Sequence, residues 1–438
     1  SNNNVAIGFQ TMLSNTTGAG NTAVGTNALD ANTTADNNSA FGISSLGANT
    51  TGYNNAAYGR RSMINNTTGA SNTAVGVDAL YSNTTASDCV AIGVDALFDS
   101  NASYNTAIGK SALANNTGGE RNVAVGFETL NDNTTANYNV AIGDRALDAA
   151  TTGGSNVAIG ASALGAVTTG FQNVAVGDNA LLLNTSNYNV AVGYASMDAT
   201  TTGVLNTAAG INSLGANTTG GYNVAVGGAT LATQTTTSYN TGIGYGVLNV
   251  ATGGYNVASG YYAGVGVTTG GYNTIMGANS GDLLTTGNHN IIIGFDTGSY
   301  SVNLTTGSQN VLIGNYCRTH ASAGGSQISM GYNVQCTGDS NLTFGSGTTD
   351  SNIAFGGTSV TAPSDVRLKE DIQDEKVGLE FINELRPVTY LWKKEKDIPE
   401  DMESHKPDSE ERVMNGKHNH GFIAQEVKEV IDRYDLKD

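Results

Sequence analysis

An alternation of apolar and small polar positions recurs along most of the chain and ends each time in a glycine. In residues 122–126 (NVAVG), Val123 and Val125 fall on one side of the backbone and the Asn, Ala and Gly on the other. This period of two is typical of a β-strand. Four residues after the glycine comes a Leu or Met, such as Leu130, and then a cluster related to Asn-Thr-Thr-Gly. We expect the Gly of that cluster to supply a positive φ angle to a turn.

The motif repeats with a nearly constant spacing. Its glycines are 17 residues apart, with three spacings of 16. They are Gly8, Gly25, Gly42, Gly59, Gly76, Gly93, Gly109, Gly126, Gly143, Gly160, Gly177, Gly193, Gly210, Gly227, Gly244, Gly260, Gly277 and Gly294. A fixed period indicates a repeat architecture, and the turn residues and glycines exclude helix. We therefore predict an all-β fold, a parallel β-solenoid (β-roll) of 17-residue coils, followed by a small α+β C-terminal domain. Twenty coils would form a rod of about 95 Å.

The predicted coil is narrow, which favours association of several chains. It offers about three large apolar side chains, each worth about 2 kcal/mol when buried. Ordering each residue of the coil costs on the order of 1.5 kcal/mol. We expect the Ala/Gly side of the strand to allow close approach of neighbouring chains, and we predict a homotrimer.

Three copies of the motif resemble the head repeats of trimeric bacterial adhesins. They are residues 139–143 (NVAIG), 156–160 (NVAIG) and 173–177 (NVAVG). This resemblance implies a β-roll within a trimer. The adhesin repeat is shorter than the one found here, so the resemblance supports the solenoid class and not the details of the coil.

Composition divides the chain near Pro363. Residues 1–363 hold only 6 of the 19 Lys and Arg residues and 17 of the 37 acidic residues, while Trp392 and all 4 Pro residues lie from Pro363 onward. We predict three segments: regular coils in 1–294, irregular repeats forming a distal tip or cap in 295–363, and a separate domain in 364–438.

Charge and cysteine content limit the possible partners. The net charge of −18 disfavours nucleic acid, and no apolar run reaches the roughly 20 residues that membrane insertion needs. Cys89, Cys317 and Cys336 form no CxxC pair, so we expect neither a disulfide framework nor a metal site. We expect no cofactor.

Aromatic residues mark two candidate binding surfaces. Tyr300, Tyr316 and Tyr332 lie where the repeat loses its register, and we predict that they contact a receptor. A second column precedes the motif Asn and consists of Tyr104, Tyr138, Tyr188, Tyr222, Tyr239, Tyr255 and Tyr272, with His289 next in line. It predicts either a carbohydrate platform or a stabilising ladder at a corner.

The last segment contains three motifs in order: PSDVRLKEDI at 363–372, ELRPVTYLW at 384–392 and HGFIAQEV at 420–427. Together they closely resemble the endosialidase-type intramolecular chaperone of phage tail spikes and tail fibres. The resemblance implies that Ser364 attacks the Pro363–Ser364 bond and that Lys369 is its base, with Asp365 and Arg367 holding the loop. A Ser hydroxyl needs such a base, and a desolvated Lys can serve.

Local patterns in this segment predict a helix at 374–385, a strand at 388–392, a charged loop at 393–419 and a second helix at 421–431. Family members continue into long helices, and the chain also begins in repeat register. We therefore expect a fragment of a longer chain with a truncated chaperone domain.

Our leading interpretation is a trimeric phage tail fibre, located in the virion, that binds a host cell-surface glycan or protein receptor and other phage tail proteins. Its only expected catalysis is a single-turnover Ser-Lys autoproteolysis. The alternatives are a bacterial trimeric adhesin on the cell surface and a fibre with polysaccharide depolymerase activity, which would need two carboxylates at a fixed separation.

Overall fold

The computed structural model describes residues 3–347, 350–355, 378–400, 402, 405–413 and 416–434. The chain divides into two compact units, Ser1–Pro363 and Ser364–Asp438. Each unit is described by itself below. In the described residues, no helix has the length and apolar character needed to cross a membrane.

The first unit is a stack of parallel three-residue strands, one per coil. Each strand pairs in register with those of the coils before and after it, so that Ala124 of one coil lies between Ala107 and Ala141 of its neighbours. The regular strands are β1 Val5–Ile7, β2 Thr22–Val24, β3 Ser39–Phe41, β4 Ala56–Tyr58, β5 Thr73–Val75, β6 Val90–Ile92, β7 Thr106–Ile108, β8 Val123–Val125, β9 Val140–Ile142, β10 Val157–Ile159, β11 Val174–Val176, β12 Val190–Val192, β13 Thr207–Ala209, β14 Val224–Val226, β15 Thr241–Ile243, β16 Val257–Ser259, β17 Thr274–Met276 and β18 Ile291–Ile293.

The parallel stack continues beyond the last regular glycine. Strands β19 Val311–Ile313, β20 Ile328–Tyr332 and β21 Asn341–Ser346 extend it, and β22 Ser351–Ala354 then pairs antiparallel with β21. The prediction of a parallel β-solenoid with 17-residue coils is confirmed.

We number positions within a coil from its corner glycine, the Gly that ends each motif. Positions −4 and −2 point into the coil: Asn122 and Ala124 are fully buried, as is Leu130 at position +4. Positions −3 and −1 point outward, and Ile142 at position −1 is 39% exposed. The expectation that the Ala/Gly side faces neighbouring chains is therefore wrong, because that side already forms the core of a single chain.

A ladder of buried amides runs through the stack at position −4. The backbone N–H of Asn122 donates to Oδ1 of Asn105 at 2.9 Å, and Nδ2 of Asn122 donates to the carbonyl of Ala136 at 2.8 Å. The next member, Asn139, donates its backbone N–H to Oδ1 of Asn122 at 2.9 Å. Burying an amide is tolerated only when it is hydrogen-bonded, so this ladder explains why Asn recurs in the core.

The corner glycine is required by backbone conformation and by stacking. Gly193 has a φ of +133°, and a Cβ added there would lie 2.6 Å from the carbonyl oxygen of Gly210 in the next coil. Both constraints exclude a side chain. The glycine of the Asn-Thr-Thr-Gly cluster differs, since Gly52 and Gly203 are absent from the residues with positive φ. Our expectation for that glycine is wrong: some coils carry Ala there, such as Ala136, and the position needs only a small side chain.

The second unit contains the predicted α+β elements, some with different bounds. They are helix α1 Leu379–Glu384, strand β23 Val388–Tyr390, a 3-10 helix Glu395–Asp397, strand β24 Asn419–Gly421 and helix α2 Ala424–Arg433. Strands β23 and β24 pair antiparallel. The second helix begins three residues later than the pattern predicts, because β24 takes up Gly421.

Candidate functional site

Contacts between distant parts of the sequence organise the second unit. Nε of Arg386 donates to Oε2 of Glu426 at 3.0 Å, and this interaction lowers the pKa of the Glu426 carboxyl. The hydroxyl of Tyr434 donates to Oε1 of Glu384 at 2.9 Å, and its ring meets that of Phe381 edge-on at 5.6 Å. These contacts join α1 to α2, the two helices that flank the β23–β24 pair along the chain.

Little apolar surface is buried within this unit. Among its described residues, Val430 is the only buried hydrophobic side chain. Leu379 is 77% exposed, Ile382 61% and Phe422 52%. A unit of this size needs a core or a partner to be stable, and its described residues supply little of a core.

The predicted autoproteolytic residues lie outside the described residues. They are Ser364, Lys369, the scissile bond at Pro363–Ser364, and the supporting Asp365 and Arg367. Their assignment therefore stays a prediction from the sequence.

The predicted receptor-contact residues are brought together at the irregular end of the solenoid. The ring of Tyr316 lies 4.8 Å from that of Tyr300 and 5.8 Å from that of Tyr332. Phe295, which the sequence analysis did not single out, joins them with its ring 5.6 Å from that of Tyr316. We call these four residues the tip cluster. Their convergence follows from a longer spacing of 20 residues between Gly294 and Gly314, which places Tyr300 in the extra chain.

Ring orientation distinguishes the tip cluster from the regular tyrosine column. Tyr316 is inclined by 60° to Tyr300 and by 88° to Tyr332, and an edge-to-face contact covers at most one face of one ring. In the column, Tyr239 and Tyr255 stack at 4.8 Å and 11°, and Tyr255 and Tyr272 at 4.8 Å and 2°. Stacking covers the ring faces that neighbouring column residues turn toward one another, although Tyr239 at 46% and Tyr272 at 55% are about as exposed overall as Tyr300 at 48%. The stacked column therefore fits a stabilising ladder, whereas the tilted rings of the tip cluster do not stack face to face.

A cation, Arg318, lies against the tip cluster. The guanidinium carbon of Arg318 lies 5.7 Å from the ring centre of Tyr300, within the range of a cation–π contact. Nη1 of Arg318 donates to Oδ1 of Asn333 at 2.6 Å and to the carbonyl of Tyr316 at 3.1 Å. Arg318 occupies position +4 of its coil, where the coils up to Leu248 carry Leu or Met and the next three carry Gly. A charged residue at this core position is the signal that sequence reasoning missed.

This arrangement has the chemistry of a saccharide-binding surface. Exposed aromatic faces pack against the C–H faces of sugar rings, and nearby donors bind hydroxyl or carboxylate groups. Tyr300 and Tyr332 are 48% and 56% exposed. The carboxyl of Asp350 interacts electrostatically with Arg318: partial burial raises the pKa of this carboxyl, and the charge of Arg318 acts in the opposite direction.

The cysteines are buried structural residues. Burial raises the pKa of the Cys89 thiol and that of the Cys336 thiol to about 11, so both are protonated and unreactive at neutral pH. In the parts of the chain that the structure describes, no group of three or more His, Cys, Asp and Glu side chains is placed to hold a metal ion.

Comparison with known proteins identifies one domain. Residues 364–436 match the family model described as chaperone of endosialidase. Comparisons with curated proteins and with solved structures give no match. The family match lies within the C-terminal unit and does not extend into the solenoid. The chain therefore carries a chaperone-of-endosialidase domain at its C-terminal end, preceded by a parallel β-solenoid.

Proposed function

We propose that this protein is a phage tail fibre, a trimeric rod in the virion that attaches to the host surface. Its C-terminal domain is the intramolecular chaperone that assembles three chains and then cleaves itself off before Ser364. The observation that carries this proposal is a coincidence of boundaries. The family match begins at residue 364, which is also the first residue of the second compact unit. A single cut there would separate the solenoid from the chaperone domain.

The exposed surface of the second unit supports the trimer. Its described helices leave Leu379, Ile382 and Phe422 uncovered, a pattern typical of a subunit that buries its apolar side chains against identical copies. Assembly at the C-terminal end would place three solenoids in the same direction and in the same register.

The proposed cleavage is an acyl shift followed by hydrolysis. Oγ of Ser364 attacks the carbonyl carbon of Pro363 while Lys369 accepts the hydroxyl proton. The C–N bond then breaks, the proton passes to the departing amine of Ser364, and an ester joins Pro363 to Oγ. Water hydrolyses the ester, leaving a carboxylate on Pro363 and a free hydroxyl on Ser364.

Replacing the nucleophile tests this proposal. Wild-type protein should give two bands on a denaturing gel, and the smaller should begin at Ser364. Ser364→Ala and Lys369→Ala should each give a single uncut band, because one lacks the nucleophile and the other the base. Both should still sediment as trimers, since folding depends on apolar surfaces and not on cleavage.

Two matched substitutions serve as controls. Lys428→Ala removes an exposed lysine paired with Asp432 on α2, and Ser340→Ala removes a serine before β21. Both should be cut like wild type. Unchanged cutting in Ser364→Ala would refute the nucleophile, and a monomeric wild-type protein would refute the fibre.

The tip cluster is the part of the fibre that we assign to host attachment. Tyr316→Ala removes the ring that contacts the other three, so labelled fibre should bind a susceptible strain, chosen from a panel of bacteria, roughly thirtyfold more weakly, as expected for loss of about 2 kcal/mol. Tyr239→Ala in the stacked column should bind like wild type. Loss of binding in Tyr239→Ala alone would move the receptor site to the shaft.

A further inference from the structure

The outward side of the strands carries an apolar column along the solenoid at position −1, beside a column at position −3 that mixes apolar residues with Thr and Ser. We call positions −3 and −1 of β1 to β21 the outward strand face. Position −1 carries Val, Ile, Met, Phe, Tyr or Ala in every coil except that of Ser259. Away from the ends these side chains are half-exposed, as in Val75 at 38% and Ile243 at 47%. Such a surface in water is unfavourable unless something covers it.

Charged residues avoid this face completely. In β1 to β21 no Lys, Arg, Asp or Glu stands at position −3 or −1. Position +1, just past the corner glycine, provides the comparison. Its large apolar members are as exposed as those at −1, with Val94 at 43%, yet other coils carry Arg60, Lys110, Asp144 or Asp178 there. The repeat itself therefore separates a column that tolerates charge from one that does not.

The size of the face matches a stable protein interface. Half-exposed side chains present on the order of 60 Å² each, so the twenty or so members of position −1 present about 1,200 Å² on one chain. A standard stable interface needs roughly 800 Å² from each partner. The face is formed by strands whose backbone hydrogen bonds are made within the stack, so side-chain packing is what it offers to a partner.

We propose that the outward strand face is where the solenoids of the trimer pack against one another, coil against equivalent coil. This inference rests on the proposed trimeric fibre, because assembly at the C-terminal ends aligns the chains in one direction. The occupant is a second copy of this chain: its own outward strand face has the same length, the same rise per coil and the same absence of charge. The columns at +1 and at the stacked tyrosines then face solvent, and the Ala/Gly side stays inside each coil.

Two cysteine variants in neighbouring coils test the assignment in the full-length protein. Val75→Cys places a thiol at position −1 and Val94→Cys places one at position +1, from the same residue type and at similar exposure. The native cysteines are buried, so the introduced thiol is the accessible one. Folding of both variants is checked against wild type by circular dichroism and sedimentation.

We expect Cys-directed labelling by a maleimide-polyethylene glycol reagent to be at least about tenfold slower at position 75 than at position 94, because an interface opens rarely. After denaturation both should label at the same rate. A short bismaleimide should link chains through position 75, since equivalent coils meet there, and should leave position 94 variants unlinked.

The outcomes separate this inference from the proposed function. A trimeric wild type in which positions 75 and 94 label equally fast overturns the interface and leaves the fibre intact. A monomeric wild type overturns both. Protection and cross-linking at position 75 alone support the inference.

Discussion

At the residue scale, the amide ladder is interrupted once in the regular coils. Cys89 stands where the other coils carry Asn, and its Sγ lies 3.3 Å from the carbonyl of Ala102. The backbone N–H of Cys89 still donates to Oδ1 of Asn72 at 3.0 Å. The thiol offers the backbone N–H of Asn105 in the next coil only a weak sulfur acceptor, so this rung of the ladder is weaker than the others.

Restoring that rung should stabilise the protein. Cys89→Asn supplies an Oδ1 acceptor for Asn105 and an Nδ2 donor for Ala102, in a side chain of similar volume. We expect the free energy of unfolding to rise by about 1 kcal/mol for the new hydrogen bond, seen as a higher midpoint in guanidinium chloride. Cys89→Ala is the matched control, because it removes the thiol without adding an amide, and it should lower the midpoint. A lower midpoint for Cys89→Asn would contradict the ladder account.

At the element scale, the core changes composition along the stack while keeping its volume. Most coils combine Ala at position −2 with Leu or Met at +4. Strands β17, β18 and β19 instead carry a larger residue at −2, and the coil preceding each of them carries glycine at +4; the pairs are Ile275 with Gly264, Ile292 with Gly281 and Leu312 with Gly298. A Cβ added to Gly281 would lie 3.1 Å from Cδ1 of Ile292. The branched side chain of one coil thus fills the space that a leucine of the preceding coil would occupy.

This exchange predicts compensation between two substitutions. Ile292→Ala leaves a cavity costing about 3 kcal/mol, and Gly281→Leu overpacks the site by about 2 kcal/mol. The backbone accepts Leu, because Gly281 has a φ of +54° and Leu29 occupies the same position at +51°. The double variant should be about 2 kcal/mol more stable than the sum of the two single-variant losses predicts. A double-mutant cycle of unfolding free energies measures this difference. Strict additivity would show that the two positions do not share the site.

At the scale of the whole molecule, each coil contacts mainly its neighbours, as expected for a solenoid. A deletion in register should therefore shorten the rod without disturbing its tip. Removing residues 127–143 joins Gly126 to Asp144, keeps the glycine spacing and should shorten the rod by about 4.8 Å. Host adsorption should be unchanged, because the tip cluster at 295–332 is untouched.

A deletion out of register serves as the control. Removing residues 127–134 leaves half a coil, so strands and corners of successive coils no longer align. This variant should fail to give soluble trimer. Loss of adsorption in a folded, in-register variant would contradict the placement of the attachment site at the tip.

Much of the fold follows from the sequence alone, because the internal repeat provides an alignment within one chain. The period fixes the coil, and the alternation of residues 122–126 fixes the strand. The recurrent glycine marks the corner. The sequence also brings Tyr300, Tyr316 and Tyr332 forward as candidates through the loss of register after Gly294.

Only the tertiary structure decided which side of the strand is the core. Hydrophobicity favours the Val/Ile side, yet the structure buries Ala and Asn. The physical reason is the width of the coil: at Gly242, which replaces the usual Ala, an added Cβ would lie 3.7 Å from Cδ1 of Leu231 and 3.4 Å from Cγ1 of Val247. The side chain at +4 and its neighbours already fill the interior, so only small or amide side chains fit opposite them and the larger apolar ones turn outward.

The tertiary structure also decided the difference between the two sets of tyrosines. Both are exposed aromatic residues in the sequence. A strict 17- or 16-residue spacing places Tyr239, Tyr255 and Tyr272 directly above one another, so their rings stack. The longer spacing before Gly314 moves Tyr300 out of line, and its ring tilts against Tyr316. Sequence alone identified which residues are aromatic and recurrent, and packing determined which of them stack face to face, because ring orientation depends on the relative positions of neighbouring coils.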